Sequence, residues 1–252
     1  MEDEQCIQES QYSYPYHYIP EWEEDSFSQT QHWSWGFRYL GGMKVVFDEL
    51  SDFSFESLID IGCGDGRFLR EMRKQYPNKE ILGVDYSQRA IELARAMNPT
   101  LAFETRNIIE EPVDRTFDIA TLIEVLEHIP PAQMKQFIEQ VYAVLQPQGH
   151  IILTVPHVNK SVSDKHYQHF DTEKLRRVLD PYFQNLKFVP FDSHSKALSL
   201  MQIFLGGKGN HFVVTNSFLN KKFIDIYFSN FLYGVNEDKC GRIAVVGQAR
   251  TK

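Results

Sequence analysis

Ser57-Leu-Ile-Asp-Ile-Gly-Cys-Gly-Asp-Gly66 runs from a short apolar stretch straight into three glycines. An apolar run of this length reads as a buried strand, and glycines at its end let the backbone turn sharply and approach a ligand. Phe68, Leu69 and Met72 then fall on one face of a helix expected over Gly66–Tyr76. A dinucleotide fingerprint needs G-x-G-x-x-G, and here the third glycine comes one residue too early. Charge argues the same way. A pyrophosphate prefers a helix N-terminus free of anions, whereas Asp60 and Asp65 flank this loop. Carboxylates there suit a ligand with positive charge, such as a sulfonium carrying an α-ammonium group.

Outward from this loop, strand and helix alternate. Glu80–Asp85 reads as a second strand, and Ser87 caps a helix carrying Ile91, Leu93, Ala94 and Met97. Leu101–Glu104, Phe117–Ile123 and His150–Val155 read as further strands. Pro131 opens a helix with Met134, Phe137, Ile138, Val141 and Leu145 at helical spacing. Apolar strands joined by helices imply a parallel sheet covered on both faces. Such sheets bind ligands beyond the carboxyl ends of their strands. That singles out Gly62–Gly66, Asp85, Arg106-Asn107, Glu124 and His157. A helix over Glu173–Tyr182 and a strand over Leu186–Phe191 continue the rhythm, which residues 192–238 interrupt before a last core strand at Arg242–Gly247. The expectation is one domain over 1–252: an aromatic lid (1–45), a Rossmann-like core (46–191), a cap insertion (192–238) with an apolar helix over Ala197–Leu205, and the last strand (239–252). Ten aromatic residues between Tyr12 and Tyr39 suit a lid that covers a cleft.

The 252 residues carry a net charge of −8. That argues against nucleic acid as a partner, since phosphate contacts need a lysine and arginine surface. No apolar run reaches the roughly 18–20 residues of a membrane span, and the acidic N-terminus does not read as a signal peptide. Three cysteines make no disulfide framework, so a reducing cytoplasm is expected.

Asp60–Gly66 resembles the first motif of class I S-adenosylmethionine-dependent methyltransferases, and Val84-Asp85-Tyr86-Ser87 their second. Phe117-Asp118-Ile-Ala with Glu124-Val-Leu-Glu127-His128 is similar to the fourth-strand motif, and Leu145-Gln-Pro147-Gln-Gly149 to the turn before the fifth strand. The resemblance spans roughly residues 55–190 and the last strand. It implies a seven-stranded sheet with helices on both faces and S-adenosylmethionine as cofactor. It also implies roles: Gly62, Cys63 and Gly64 along the methionine part, Asp85 on the ribose, Tyr86 and Asn107 beside the adenine, with Asp60 and Glu124 at the cofactor pocket.

Methyl transfer from a sulfonium is an in-line displacement, and a hydroxyl acceptor must lose its proton to a base or be acidified by a metal. Glu124, Glu127 and His128 follow the fourth strand, and His157, His166 and His169 follow the fifth. His128, His166, His169 and Glu124 are therefore the catalytic candidates. If Glu124 and Glu127 share one face of a helical turn, Glu124, Glu127 and His128 could hold magnesium or zinc, with His169, or else His166, as the fourth ligand. The same E-x-x-E-H spacing resembles small-RNA 2′-O-methyltransferases, where it holds a metal, and ubiquinone-pathway O-methyltransferases. It is also common where no metal binds, with Glu124 lining the cofactor pocket and Glu127 and His128 holding a loop. The favoured expectation is O-methylation of a hydroxyl on a small molecule, sugar or lipid-linked intermediate. RNA 2′-O-methylation, small-molecule N-methylation and a non-catalytic scaffold are the alternatives.

Overall fold

The computed structural model describes residues 21–23, 26–28, 33–193, 196–198, 200 and 217–251. A small antiparallel hairpin, β1 (Glu21–Glu23) and β2 (Ser26–Ser28), precedes helix α1 (Trp33–Leu50). Then follow β3 (Ser57–Ile61), α2 (Arg67–Gln75), β4 (Glu80–Asp85), α3 (Gln88–Met97), β5 (Ala102–Thr105) and β6 (Phe117–Ile123). A 3₁₀ turn at Leu126–His128 leads to α4 (Met134–Ala143), β7 (Leu145–Pro156), α5 (Thr172–Leu179) and β8 (Phe183–Ser193). The chain closes with α6 (Ser217–Tyr227), a π-helical turn (Phe228–Leu232) and β9 (Cys240–Ala249).

Seven strands form one sheet in the order β5-β4-β3-β6-β7-β9-β8. The first five neighbours pair in parallel, but β9 is antiparallel to both β7 and β8. The parallel pairing expected from strand–helix alternation holds across five strands, and β9 makes the seven-stranded sheet a mixed one. The order reverses beside β3, between β4 and β6, which makes the switch point where open α/β sheets bind ligands.

Side chains alternate across the sheet with period two. Leu58, Ile81, Ile119 and Ile152 join one core, under α1, α2 and α3; Ile59, Leu82, Ala120 and Leu153 join the other, under α4 and α5. Asp118 ties the sheet at its entry, its Oδ2 accepting from the Glu56 and Ser57 backbone N–H groups at 2.8 and 2.9 Å.

Helix α1 crosses the boundary drawn at residue 45. Phe37, Leu40, Met43, Val46 and Leu50 are buried at about three-residue intervals against the sheet. Each such burial is worth about 1.5–3 kcal/mol, so this helix belongs to the core layer rather than to a lid. Most of the aromatic segment before Trp33 lies outside the described residues, as do His194, His211 and most of the helix expected over Ala197–Leu205. Helix α4 starts at Met134, after a turn at Pro131–Gln133, one turn later than expected. Among the described residues no helix is long and apolar enough to cross a membrane.

Candidate functional site

A cavity of about 470 Å³ opens where β3, β4 and β6 end, and extends to β8 and β9. Its first half is made largely of backbone. Gly62 turns with φ +78°, and a Cβ there would stand 2.6 Å from Val125 Cγ2, so only glycine fits. The Gly64 N–H donates to Asp85 Oδ2 and the Ser87 N–H to Asp85 Oδ1, both at 2.9 Å. These bonds fix the plane of the Asp85 carboxylate. Ser87 also caps α3, its Oγ accepting from the Ala90 N–H. Thr121 Oγ1 donates to Asp60 Oδ1 at 2.7 Å. Burial nevertheless raises the Asp60 carboxyl to about 7, against the Thr121 bond and with help from Asp85. A cation placed beside it would reverse that shift. Burial and the same carboxylates push the Cys63 thiol up, so it lines the wall as an apolar group. Tyr86 stands half-exposed at the rim, and Asn107 lines the wall while its Oδ1 accepts from the Ile109 N–H.

The second half is built from side chains. Glu124 follows β6 in the left-handed region, φ +56°, with its N–H bonded to the Thr154 carbonyl. Such backbone is costly for a non-glycine residue and gathers at functional sites. Its Oε1 is buried without a hydrogen-bond partner. Glu124 thus departs from the helical turn that was to place it beside Glu127. The 3₁₀ turn begins only at Leu126. Glu127 is buried, its Oε2 has no hydrogen-bond partner, and burial followed by the Glu124 charge raises it well above the usual carboxylate range.

The histidines form a chain whose protons can be assigned. A carbonyl oxygen only accepts, so His128 Nδ1, 2.8 Å from the Lys165 carbonyl, carries hydrogen. His169 Nδ1 likewise donates to the Lys160 carbonyl at 3.0 Å. Its Nε2 is then an acceptor, and His166 Nδ1 donates to it at 2.8 Å. The neutral tautomers therefore leave Nε2 of His128 and of His166 with lone pairs. Burial lowers His128 to about 4 and, with neighbouring cations, His166 to about 3, so both are neutral at physiological pH. Ligand atoms of Glu127, His128 and His166 lie within 4.8 Å of one another.

Of the expected site residues, Asp60, Gly62, Cys63, Gly64, Asp85, Tyr86, Asn107, Glu124, Glu127, His128 and His166 all reach this cavity. His169 is buried behind His166, and the potential ligand set closes on His166 instead of His169 or Glu124. His157 is also held away: its Nδ1 accepts from the Asn159 N–H, and its Nε2 lies 3.6 Å from Glu237. Arg38, Lys160, Lys165, Asp192 and Arg242 line the cavity as well, and were not anticipated. Arg242 carried one readable signal, a charge inside the otherwise apolar run of β9.

A family model described as a methyltransferase domain matches residues 34–193. A ubiquinone biosynthesis O-methyltransferase from Schizosaccharomyces pombe is 30% identical over 140 residues, 53% of this chain and 49% of that protein. The chain therefore spans about half the length of that curated relative. A methyltransferase structure from Archaeoglobus fulgidus superposes with a TM-score of 0.55 at 17% identity, covering 82% of this chain and 94% of that one. The N-methyltransferase NodS from Bradyrhizobium japonicum, solved with S-adenosylhomocysteine, gives 0.53 at 16% identity, covering 85% and 87%. With the glycine turn, the Asp85 clasp and this strand order, these matches establish that the chain belongs to the class I S-adenosylmethionine-dependent methyltransferases.

Proposed function

We propose that the protein methylates a hydroxyl group of a small-molecule acceptor. The observation that carries this reading is the histidine chain, which leaves two imidazole lone pairs at the cavity wall beside Glu124. In-line transfer asks the protein to align two partners and to accept one proton. S-adenosylmethionine, when bound, supplies a methyl group already activated on sulfur. The Gly62–Gly64 turn and Asp85 hold it, and Asp60 offsets its positive charge. On the other side, Nε2 of His128 or His166 would accept the hydroxyl hydrogen as the oxygen's electron pair takes the methyl carbon and the carbon–sulfur pair returns to sulfur, leaving a neutral thioether. Lys165 and Lys160 carbonyls keep the rings in the right tautomers throughout.

Imidazoles held at about 4 and about 3 are weak bases. They match a phenol-type hydroxyl, with a pKa near 10, far better than an aliphatic one, whose pKa approaches the roughly 15.7 of water. The similarity to an enzyme named as an O-methyltransferase supports oxygen as the atom methylated.

A second reading rests on the unbonded, buried Glu127 Oε2. Glu127, His128 and His166 would hold a divalent ion, and two imidazoles with one carboxylate favour zinc over magnesium. Such an ion would acidify the hydroxyl directly. Transfer of labelled methyl from S-adenosylmethionine into fractionated host extract tests both. We expect label in small phenolic compounds, lost in His128→Ala/His166→Ala. Inhibition by a chelator selects the metal reading, and label confined to amines or RNA overturns the proposal.

A further inference from the structure

The cavity wall beyond Glu124 carries an ion cluster that alignment of the cofactor does not use. Asp192, at the end of β8, is 1% exposed. Arg242 Nε donates to its Oδ2 at 3.2 Å, Lys160 Nζ stands 3.5 Å from the same oxygen, and Arg38 Nε lies 3.7 Å from Oδ1. Tyr227 OH donates to Oδ1 at 2.8 Å. Three cations thus surround one carboxylate. Beyond it, the Glu124 charge is felt by both Lys160 and Arg242, but Glu124 makes no ion pair with either. An excess positive charge remains even when both carboxylates are counted. A purely structural cluster would balance its charges, because burying an uncompensated ion costs several kcal/mol.

The cluster is also built to fit. A Cβ at Gly42 would stand 2.5 Å from Arg242 Nη1, and one at Gly241 would stand 2.6 Å from Lys160 Cε. Two glycines on different elements make room for the two cations. The Arg242 guanidinium is further held by the Arg38 carbonyl, which accepts from Nη2 at 2.6 Å, and it lies over the Phe191 ring. Arg242 is therefore immobilised behind, while Arg38 and Lys160 keep side-chain exposures of 24% and 26% toward the cavity. Arg38 Nε has no hydrogen-bond partner.

We propose that Arg38, Lys160 and Arg242 form a subsite for an anionic group, a carboxylate or a phosphate, on the acceptor. This rests on the methyltransferase reading of the cavity and adds a substrate class to it. Position favours the acceptor over the cofactor's own carboxylate. Arg242 lies on β9, three strands from β3, which at ~4.8 Å per strand is about 14 Å from the strand that feeds the glycine turn.

Ligand-observed NMR titration of protein saturated with S-adenosylhomocysteine tests the proposal. The probes are benzoate, phenyl phosphate and neutral benzamide, which share a ring and differ in charge. We expect one or both acids to bind about tenfold tighter than benzamide, the scale of a charge-assisted hydrogen bond; the preferred acid distinguishes carboxylate from phosphate. Lys160→Met and, separately, Arg38→Gln should reduce that preference to threefold or less, with S-adenosylhomocysteine affinity within about twofold of the parent. The less disruptive Lys160→Gln guards against a variant that fails to fold. No preference for acids in the parent, including no binding of any probe, overturns the subsite, as does a preference that survives both substitutions. A parallel fall in S-adenosylhomocysteine affinity also overturns it and assigns the cluster to the cofactor. Failure of the parent to bind S-adenosylhomocysteine at all removes the methyltransferase reading beneath it.

Discussion

The ends of β3 and β4 and the ends of β6, β7 and β9 face one cavity but are constructed differently. At β3 and β4 the work is done by backbone: a glycine in left-handed geometry, two N–H groups clasping Asp85, and a capped helix start. The bonds that hold Asp85 and cap the helix span 21 residues or fewer, although the Thr121 bond to Asp60 spans 61. At β6, β7 and β9 the work is done by side chains from separate parts of the chain. Arg38 and Arg242, which touch there, are 204 residues apart. A backbone site suits a ligand shared by many enzymes. A side-chain site can change its charge and shape one residue at a time, which suits the proposed place for an acceptor.

If that contrast holds, changes at the two ends should separate in what they damage. The largest effect is expected from His128→Ala/His166→Ala. Turnover should fall by roughly 10²–10⁴, the usual weight of a proton acceptor, with cofactor affinity unchanged in a calorimetric titration. Equal losses in both quantities would break the division.

Gly62→Ala should do the reverse. Left-handed backbone costs about 1–2 kcal/mol for alanine, and overpacking against Val125 adds about 1–3 kcal/mol. Cofactor affinity and thermal stability should drop together. Adding Val125→Ala should recover the packing part and leave the backbone part, which differential scanning calorimetry can read.

Next in size is a pH effect confined to the cofactor end. The free protein holds Asp60 at about 7, so below that pH the carboxyl is protonated and a cationic ligand must displace the proton. Affinity for S-adenosylmethionine, which carries the sulfonium charge, should therefore rise with pH, by roughly 25-fold between pH 5.5 and 7.5. Stability moves the other way. A folded-state value above the unfolded 3.8 means the native protein binds more protons between those values, so this contribution is present below pH 4 and lost as pH climbs through about 7. Asp60→Asn should flatten both trends; an unchanged affinity profile in that variant would assign the dependence elsewhere.

The smallest effects come from a matched pair of helix caps. Ser87 Oγ accepts from the Ala90 N–H at the cofactor end, and Asp171 Oδ1 from the Lys174 N–H at the other. Removing either by alanine should cost about 1 kcal/mol in denaturant unfolding. Only Ser87→Ala should also weaken cofactor binding, because losing the Oγ cap loosens the turn whose residue 87 N–H, kept by alanine, holds Asp85.

Most of the cofactor end was legible from the residues. Strand, turn and helix are contiguous there, so Asp60, the glycines and Asp85 could be placed from local pattern alone. The histidines were legible as a group but not as an arrangement. Sequence spacing set Glu124 beside Glu127 and His128 and left His166 and His169 both open as a fourth ligand, whereas the folded chain puts Glu124 on left-handed backbone and groups His166 with Glu127 and His128. His157 looked equivalent to its neighbours until its bond from the Asn159 N–H and its approach to Glu237 took it out of the cavity.

The sequence alone determined that apolar runs would form a layered α/β sheet and that its first strand would end in a glycine turn flanked by carboxylates, because those outcomes depend on residues a few positions apart. Tertiary structure decided that the last strand runs antiparallel between β7 and β8, and with that decision Arg242 was set beside Asp192, Lys160 and Arg38. No local pattern encodes such a meeting. It arises from strand order, and the free energy that holds it comes from two buried sheet faces rather than from the charged residues brought together.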